Sequence, residues 1–165
     1  MKTIYIVRHA KSSWEEIGLK DEERSLKKKG VDDAHHKAKI LSLGNLSIDM
    51  ILTSPAFRAL NTAIIFAKDL RYSFDKILLN ESVYHASKEQ LLDVAQSIEN
   101  KYSCVMLVGH DPGLTSFVNY IAESNFEKIP TSGVVCIEFE ISEWKKIEKK
   151  SGIVKFYDFS KPAMQ

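Results

Sequence analysis

The stretch Ile4-Tyr5-Ile6-Val7-Arg8-His9, near the N-terminus, decides the fold. Its first four residues form a short apolar run rich in β-branched side chains, which is typical of a parallel strand covered on both faces. Arg8 and His9 end the run with two polar side chains. The stretch therefore predicts a central strand of a parallel sheet, with a polar site at its carboxyl end.

Strand-like and helix-like patterns alternate along the chain that follows. Three further apolar runs, each followed by apolar residues at helical spacing, lie at residues 50–53, 76–79 and 105–108. After the second run, Ser54 and Pro55 predict the cap and the first turn of a helix. This alternation predicts a three-layer α/β/α fold with a mostly parallel central sheet and helices on both faces.

The pattern changes near the C-terminus. Apolar and polar residues alternate over 135–141, and residues 153–159 are again strand-like, with a charged connection from Trp144 to Lys150 between them. The two segments predict an antiparallel hairpin at the C-terminal edge of the sheet. Because no linker or repeat divides the chain, we predict a single domain over residues 1–165.

Composition excludes several classes of protein. With 44% hydrophobic and 27% charged residues, the chain is neither disordered nor fibrous. Its net charge of +1 does not favour a nucleic-acid partner. No N-terminal apolar stretch is long enough for a signal peptide or a membrane span, and Cys104 and Cys136 lack CxxC spacing and are interpreted as buried thiols. These features predict a cytoplasmic protein that contacts no membrane.

Polar residues gather where three predicted strands end. The first strand ends in Arg8-His9, the second is followed by Arg58 one turn into a helix, and the fourth ends in Gly109-His110. Arginines donate paired hydrogen bonds to phosphate oxygens, and helix N-termini favour anions. A neutral imidazole is nucleophilic near pH 7. We therefore predict a phosphoryl pocket in which one histidine attacks and the other assists.

Three motifs in the same order resemble those of the histidine phosphatase superfamily, which has the phosphoglycerate mutase-like fold. Residues 8–14, RHAKSSW, look like its RHG motif; residues 54–62, SPAFRALNT, resemble S-x-x-x-R-x-x-x-T; and residues 108–113, VGHDPG, resemble its G-H-[ND]-P block. A fourth segment, Asp21 to Leu26, is similar to the D-x-x-R-P-L of the small SixA-type phosphohistidine phosphatases, with Ser25 in place of proline.

The resemblance implies roles for particular residues. It implies that His9 is the nucleophile and that Arg8, Arg58 and His110 hold the phosphoryl group, without a metal or a cofactor. It also makes Arg24 a third cation of the pocket, although a solvated loop arginine remains the alternative. Substrate-binding roles for Ser12, in the first motif, and for His85, in a Y-H-A-S run, are further expectations; for His85 a loop histidine is the alternative.

A candidate for the general acid follows the third predicted strand. Leu79-Asn80-Glu81 resembles the L-x-E that follows the third strand in many superfamily members, where the glutamate protonates the leaving oxygen. Glu81 is therefore a candidate catalytic acid, and a solvated loop carboxylate is the alternative.

The predicted function is a phosphatase that acts on phosphohistidine or on a related phosphoramidate or phosphomonoester. The partner would be a phosphorylated protein or a small phosphorylated substrate, and the oligomeric state is left open. A small-molecule phosphomonoesterase or a phosphoglycerate mutase-like phosphotransferase is the alternative, although Glu15 and Glu16 beside the pocket disfavour a small polyanion. A non-catalytic regulator that binds a phosphorylated ligand is a third possibility.

Overall fold

The computed structural model describes residues 1–161, which form a six-stranded sheet with helices on both faces. The strands are β1 (Lys2–Arg8), β2 (Met50–Thr53), β3 (Ile77–Leu79), β4 (Cys104–Gly109), β5 (Val134–Phe139) and β6 (Gly152–Asp158). The helices are α1 (Lys28–Ser42), α2 (Phe57–Asp69), α3 (Lys88–Gln96) and α4 (Gly113–Ile121). Residues 162–165 of the predicted domain lie outside the described residues.

The strands have the order β3-β2-β4-β1-β5-β6. The four strands β3, β2, β4 and β1 are parallel, whereas β5 is antiparallel to both of its neighbours, β1 and β6. The predicted fold class is therefore confirmed, including the antiparallel hairpin at the C-terminal edge. None of the helices within residues 1–161 is long and apolar enough to cross a membrane.

Two cores cover the sheet because side chains alternate across it. Ile4 and Ile6 of β1 pack into one core with α3 and α4, whereas Tyr5 and Val7 pack into the other with α1 and α2. All four side chains are buried. The unbroken apolar run of β1 is thus explained by burial on both faces, which makes β1 a rigid base for the residues that follow it.

The start of α2 differs from its prediction. The helix begins at Phe57 with Ala56 at the N-cap position, and no side chain caps it. The prediction of Ser54 and Pro55 as its cap and first turn is therefore wrong. The segment between β2 and α2 stays non-helical, and the Ser54 hydroxyl is hydrogen-bonded to a ring nitrogen of His110 instead.

Candidate active site

The register of the sheet brings three strand ends to one level. Arg8 lies opposite Gly109, and Thr53 lies opposite Val108, so that the residues after β1, β2 and β4 meet at the same edge. The backbone N–H of His9 donates to the Gly109 carbonyl over 3.0 Å. As a result, the rings of His9 and His110 have centroids 5.1 Å apart.

A cavity of about 340 Å³ opens at this edge, and we call it the histidine cavity. Seven of the eight site residues predicted from the sequence line it, namely Arg8, His9, Ser12, Arg24, Arg58, His85 and His110. Six other residues complete the lining, namely Lys11, Trp14, Asp21, Lys27, Asp111 and Thr131. The exception is Glu81, an exposed residue that begins a 3₁₀ turn (Glu81–Val83) and is absent from the lining formed by the described residues.

His9 is buried and electrically neutral. Its Nδ1 lies 2.8 Å from the carbonyl oxygen of Ala10. A carbonyl only accepts hydrogen bonds, so this contact assigns the ring proton to Nδ1 and leaves the lone pair on Nε2. Burial and the nearby guanidinium groups of Arg58 and Arg8 lower the pKa of His9 to about 4. A neutral imidazole with an unprotonated Nε2 is the reactive form of a histidine nucleophile.

His110 is held in place by Ser54. Nε2 of His110 lies 2.8 Å from Ser54 Oγ, and Oγ accepts a hydrogen bond from the N–H of Ala56. The bonding pattern is satisfied when the hydroxyl donates to Nε2, which places the His110 proton on Nδ1. That atom is buried and has no partner among the described residues. Burial, with the nearby His9 and Arg58, lowers the pKa of His110 to about 3, so this histidine is a neutral donor.

Each of the three arginines has N–H donors that make no hydrogen bond to the described residues. Arg8 Nη1 donates to the Ile129 carbonyl over 2.8 Å, and Arg58 uses Nη1 and Nη2 on Asp21. Within residues 1–161, Nε of Arg8, Nε of Arg58, and Nε and Nη1 of Arg24 are buried without a hydrogen bond. Buried donors are rarely left unpaired. Their concentration beside two neutral histidines fits a site that binds an anion.

Asp21 joins the residues around the cavity mouth, and the sequence interpretation gave it no role. Its Oδ2 accepts hydrogen bonds from Arg58 Nη2 at 2.9 Å and Tyr84 Oη at 2.7 Å, and it lies 3.0 Å from Nε2 of His85. Its Oδ1 lies 3.2 Å from Arg24 Nε, in an ion pair that lacks hydrogen-bond geometry. Although burial opposes it, hydrogen bonding by Tyr84, Arg58 and His85 holds the pKa of Asp21 well below its usual range. The D-x-x-R segment was the one signal that could have identified this residue.

His85 lies over the second histidine. Its ring stacks on that of His110 with centroids 5.4 Å apart and an interplanar angle of 29°. The segment that carries His85 packs closely against Gly113, because a Cβ at position 113 would lie 1.9 Å from the carbonyl oxygen of Ala86. His85, predicted as a substrate-binding residue, thus reaches the cavity from the exposed side.

The loop after β1 is tied to the segment before α1. Ser12 and Leu26 form an isolated antiparallel bridge, and the guanidinium carbon of Arg24 lies 3.4 Å from the ring centroid of Trp14. Arg24 is consequently part of the cavity wall and not a solvated loop residue, and the buried Ser12 lies beside it. Glu15, which was expected to repel a polyanion, forms an ion pair with Lys27 at 2.8 Å.

Metal-binding side chains are not clustered here. Across residues 1–161, the His, Cys, Asp and Glu side chains form no group of three or more that could hold a metal ion. The positive charge of the histidine cavity comes from Arg8, Arg24, Arg58, Lys11 and Lys27.

Comparison with protein families gives a match to the N-terminal half of the chain. The family model of the histidine phosphatase superfamily (branch 1) matches residues 4–84, which include Arg8, His9, Arg24 and Arg58. An uncharacterized chloroplastic protein of Arabidopsis thaliana is 27% identical over 165 residues, covering 92% of this chain and 72% of that protein.

Solved structures share the fold over nearly the whole chain. The SixA protein of Agrobacterium tumefaciens superposes with a TM-score of 0.75 at 24% identity, covering 94% of this chain and 96% of that one. The protein histidine phosphatase SixA complexed with tungstate gives a TM-score of 0.79 at 17% identity, covering 94% and 95%. At these identities the likeness establishes the shared phosphoglycerate mutase-like architecture.

Proposed function

We propose that this chain, whose residues 4–84 match the family model of the histidine phosphatase superfamily (branch 1), hydrolyses phosphohistidine by way of a covalent phosphohistidine intermediate on His9. The observation that carries the proposal is the state of His9. It is a buried, neutral imidazole whose Nδ1 is bound to a backbone carbonyl, and it lies beside arginines with unused donors.

In the first step, the lone pair on Nε2 of His9 attacks the phosphorus atom of the substrate. The bond from phosphorus to the substrate nitrogen breaks, and its electron pair stays on that nitrogen. The other ring nitrogen of the substrate has taken a proton from solvent, so a neutral imidazole departs. Arg8, Arg58 and the Nδ1–H of His110 donate to the three phosphoryl oxygens, whose charge spreads in the transition state. In the second step, a water oxygen attacks phosphorus, the bond to Nε2 breaks, and inorganic phosphate leaves as the water proton passes to phosphate or solvent.

The carboxylates near the site support phosphohistidine as the substrate class. Asp21 and Asp111 are the carboxylates that line the histidine cavity in the described part of the chain. Asp21 stays ionised because its pKa is held well below its usual range, and Asp111 accepts hydrogen bonds from Thr115. Neither is arranged to protonate an alkoxide leaving group. Phosphohistidine needs less help, because its leaving ring has a second basic nitrogen that takes up a proton.

The surroundings of the cavity suit a substrate carried on a protein. Trp14 and Ile17, in the loop after β1, expose their large apolar side chains at 77% and 102%. Trp14 lines the histidine cavity itself. Exposed apolar side chains beside a site favour contact with a macromolecule. The alternative substrate is a small phosphomonoester.

The experiment that tests the function compares rates on a histidine-phosphorylated protein, a free phosphoramidate and a panel of alkyl phosphates. We expect kcat/KM to be at least about 10²-fold higher on the phosphohistidine protein than on the alkyl esters. Rapid quenching with labelled substrate should trap an acid-labile, base-stable phosphoenzyme. An acid-stable phosphoenzyme would contradict the proposed phosphohistidine intermediate. A higher kcat/KM on a sugar or nucleotide phosphate would contradict phosphohistidine as the substrate.

A further inference from the structure

A second cavity of about 200 Å³ lies next to the histidine cavity, and we call it the lysine cavity. Four lysines line it, namely Lys11, Lys29, Lys37 and Lys161. It shares Lys11 and Thr131 with the histidine cavity, so the two cavities are neighbours. Nothing in the mechanism above uses it.

The lysine cavity has an excess of positive charge. Asp33 is the carboxylate that lines it in the described part of the chain, and Asp33 is paired with Lys29 at 3.0 Å. Lys37 is paired with Asp158, which lies outside the lining. Within the described residues, no carboxylate oxygen lies within 4.0 Å of Nζ of Lys11 or Lys161. Among residues 1–161, the charges of Lys11 and Lys161 are therefore not neutralised by an ion pair, and they lie in a concave space, where the walls concentrate the electrostatic potential.

The cavity is built into the fold. Lys37 projects from α1, is 2% exposed, and donates to Asp158 at the end of β6 and to Ser160 Oγ. Ser132 is 1% exposed, and its hydroxyl is buried without a partner among the described residues. The backbone N–H of Ser132 contacts the carbonyls of Arg8 and His9. Ser132 thus connects the lysine cavity to the backbone of the nucleophile, and among residues 1–161 its buried hydroxyl has no partner.

A third cavity provides the contrast. It shares His85, His110 and Asp111 with the histidine cavity, is lined by residues 85–90, residues 110–113 and Ser116, and has a volume of about 450 Å³. Its single lysine, Lys88, has a neighbouring carboxylate in Glu89 at 3.6 Å, and its Asp111 lies 3.8 Å from Arg8. That side offers no excess of positive charge. An extra negative group on a bound substrate is therefore favoured on the lysine side.

We infer that the lysine cavity is a subsite for a second anionic group of the substrate, a carboxylate or a phosphate next to the phosphoryl group that His9 receives. The inference rests on the proposed function and extends it to substrate choice. An acidic residue flanking the phosphohistidine of a protein, or the second phosphate of a small bisphosphorylated molecule, would supply the same charge. The subsite would select such substrates from those with a single negative group.

The test uses two matched pairs of substrates. The first pair consists of phosphohistidine peptides with aspartates or with asparagines at the flanking positions. The second pair consists of 1,3-propanediol bisphosphate and 3-hydroxypropyl phosphate. We expect kcat/KM to be about 5- to 10-fold higher for the more acidic member of one of the two pairs. The pair that shows this preference identifies whether the second anion comes from a flanking acidic residue or from a second phosphate. The preference should decrease as salt is added.

The double variant Lys29→Gln/Lys161→Gln should abolish that preference while leaving kcat/KM on the less acidic member unchanged. Lys28→Gln is the matched control, because Lys28 lies on the same helix and pairs with Asp32 at 2.7 Å, but it lies outside the cavity. If the preference is absent, or if Lys28→Gln reduces it equally, there is no subsite.

A binding measurement separates failure of the subsite from failure of the proposed function. With the histidine cavity filled by vanadate, inorganic phosphate should still shift the backbone amide signals of Lys29 and Ser132. The double variant should lose these shifts and Lys28→Gln should keep them. If the shifts appear but the protein does not hydrolyse any of the substrates, the anion subsite is supported and the proposed phosphatase activity is wrong. If the protein hydrolyses phosphohistidine but the shifts are absent, the activity is supported and the subsite is wrong.

Discussion

The floor and the rim of the histidine cavity are built in different ways. The floor consists of Arg8 at the end of β1, His9 and His110 directly after β1 and β4, and Arg58 in the first turn of α2. His9, Arg58 and His110 are buried, and the side chain of Arg8 is 16% exposed. The rim consists of side chains on loops, with side-chain exposures of 38% for Asp21 and 56% for His85, joined by hydrogen bonds to one carboxylate. Backbone pairing thus fixes the floor, whereas a side-chain network fixes the rim. We expect changes in the floor to remove the chemistry, and changes in the rim to weaken it.

The largest effect is expected at the centre of the floor. His9→Ala should lower kcat/KM by at least about 10³-fold, because the nucleophile is lost and water must attack directly. Steady-state hydrolysis of a phosphoramidate measures it, and His36→Ala, on an exposed helix position, is the control. A His9→Ala variant within 10-fold of the unmodified protein would show that the floor does not carry the reaction.

The floor should also make stability depend on pH. Burial lowers the pKa of His9 to about 4 and that of His110 to about 3, whereas an unfolded chain has the ordinary value of 6.5. Between pH 6.5 and about 4 the unfolded chain binds more protons, so the free energy of unfolding falls as the pH falls. His9 alone contributes about 3 kcal/mol or less to this change.

Urea unfolding at several pH values measures this dependence. In the window from pH 6.5 to about 4, the slope should be shallower for His9→Ala than for the His36→Ala control. Equal slopes would mean that protonation of His9 does not lower the free energy of unfolding.

At the rim, Asp21→Asn should lower kcat/KM by about 10-fold, since Arg58 loses the charged partner that orients its guanidinium. Inhibition by vanadate should weaken by a similar factor, which a change in overall stability would not cause. Glu22→Gln, at the neighbouring exposed position, is the control. A rise in activity would instead identify Asp21 as an internal competitor for the phosphoryl site.

The smallest effect is expected at Glu81, beyond the rim. Glu81→Gln should change kcat/KM by less than about 2-fold on phosphoramidates and on esters, because the side chain is exposed and does not line the cavity. Slowing of about 10²-fold confined to esters with poor leaving groups would restore Glu81 as the general acid.

Much of the floor could be predicted from the sequence because its signals are local. A buried parallel strand appears in the sequence as a run of apolar residues, and the polar residue that follows it lies at the carboxyl end of the strand, where the site forms. The same reasoning predicted the antiparallel hairpin at residues 135–141 and 153–159. It did not predict the buried Trp144 in the charged connection, whose Nε1 donates to the Tyr102 carbonyl over 2.8 Å, since that partner lies 42 residues away.

The sequence by itself determined a mostly parallel sheet, the succession of strands and helices along the chain, and the residues at the strand ends. The order of the strands within the sheet came only from the tertiary structure. The tertiary structure decided the rim, because the partners of Asp21 are 37, 63 and 64 residues distant along the chain and meet it only after folding. It also decided that Ser54 binds His110 and that Glu81 lies outside the cavity, since both outcomes depend on loop paths that no local pattern encodes. The burial pattern of a strand or helix is visible in the spacing of neighbouring residues. A hydrogen-bond network between loops depends on how the folded chain brings distant residues together.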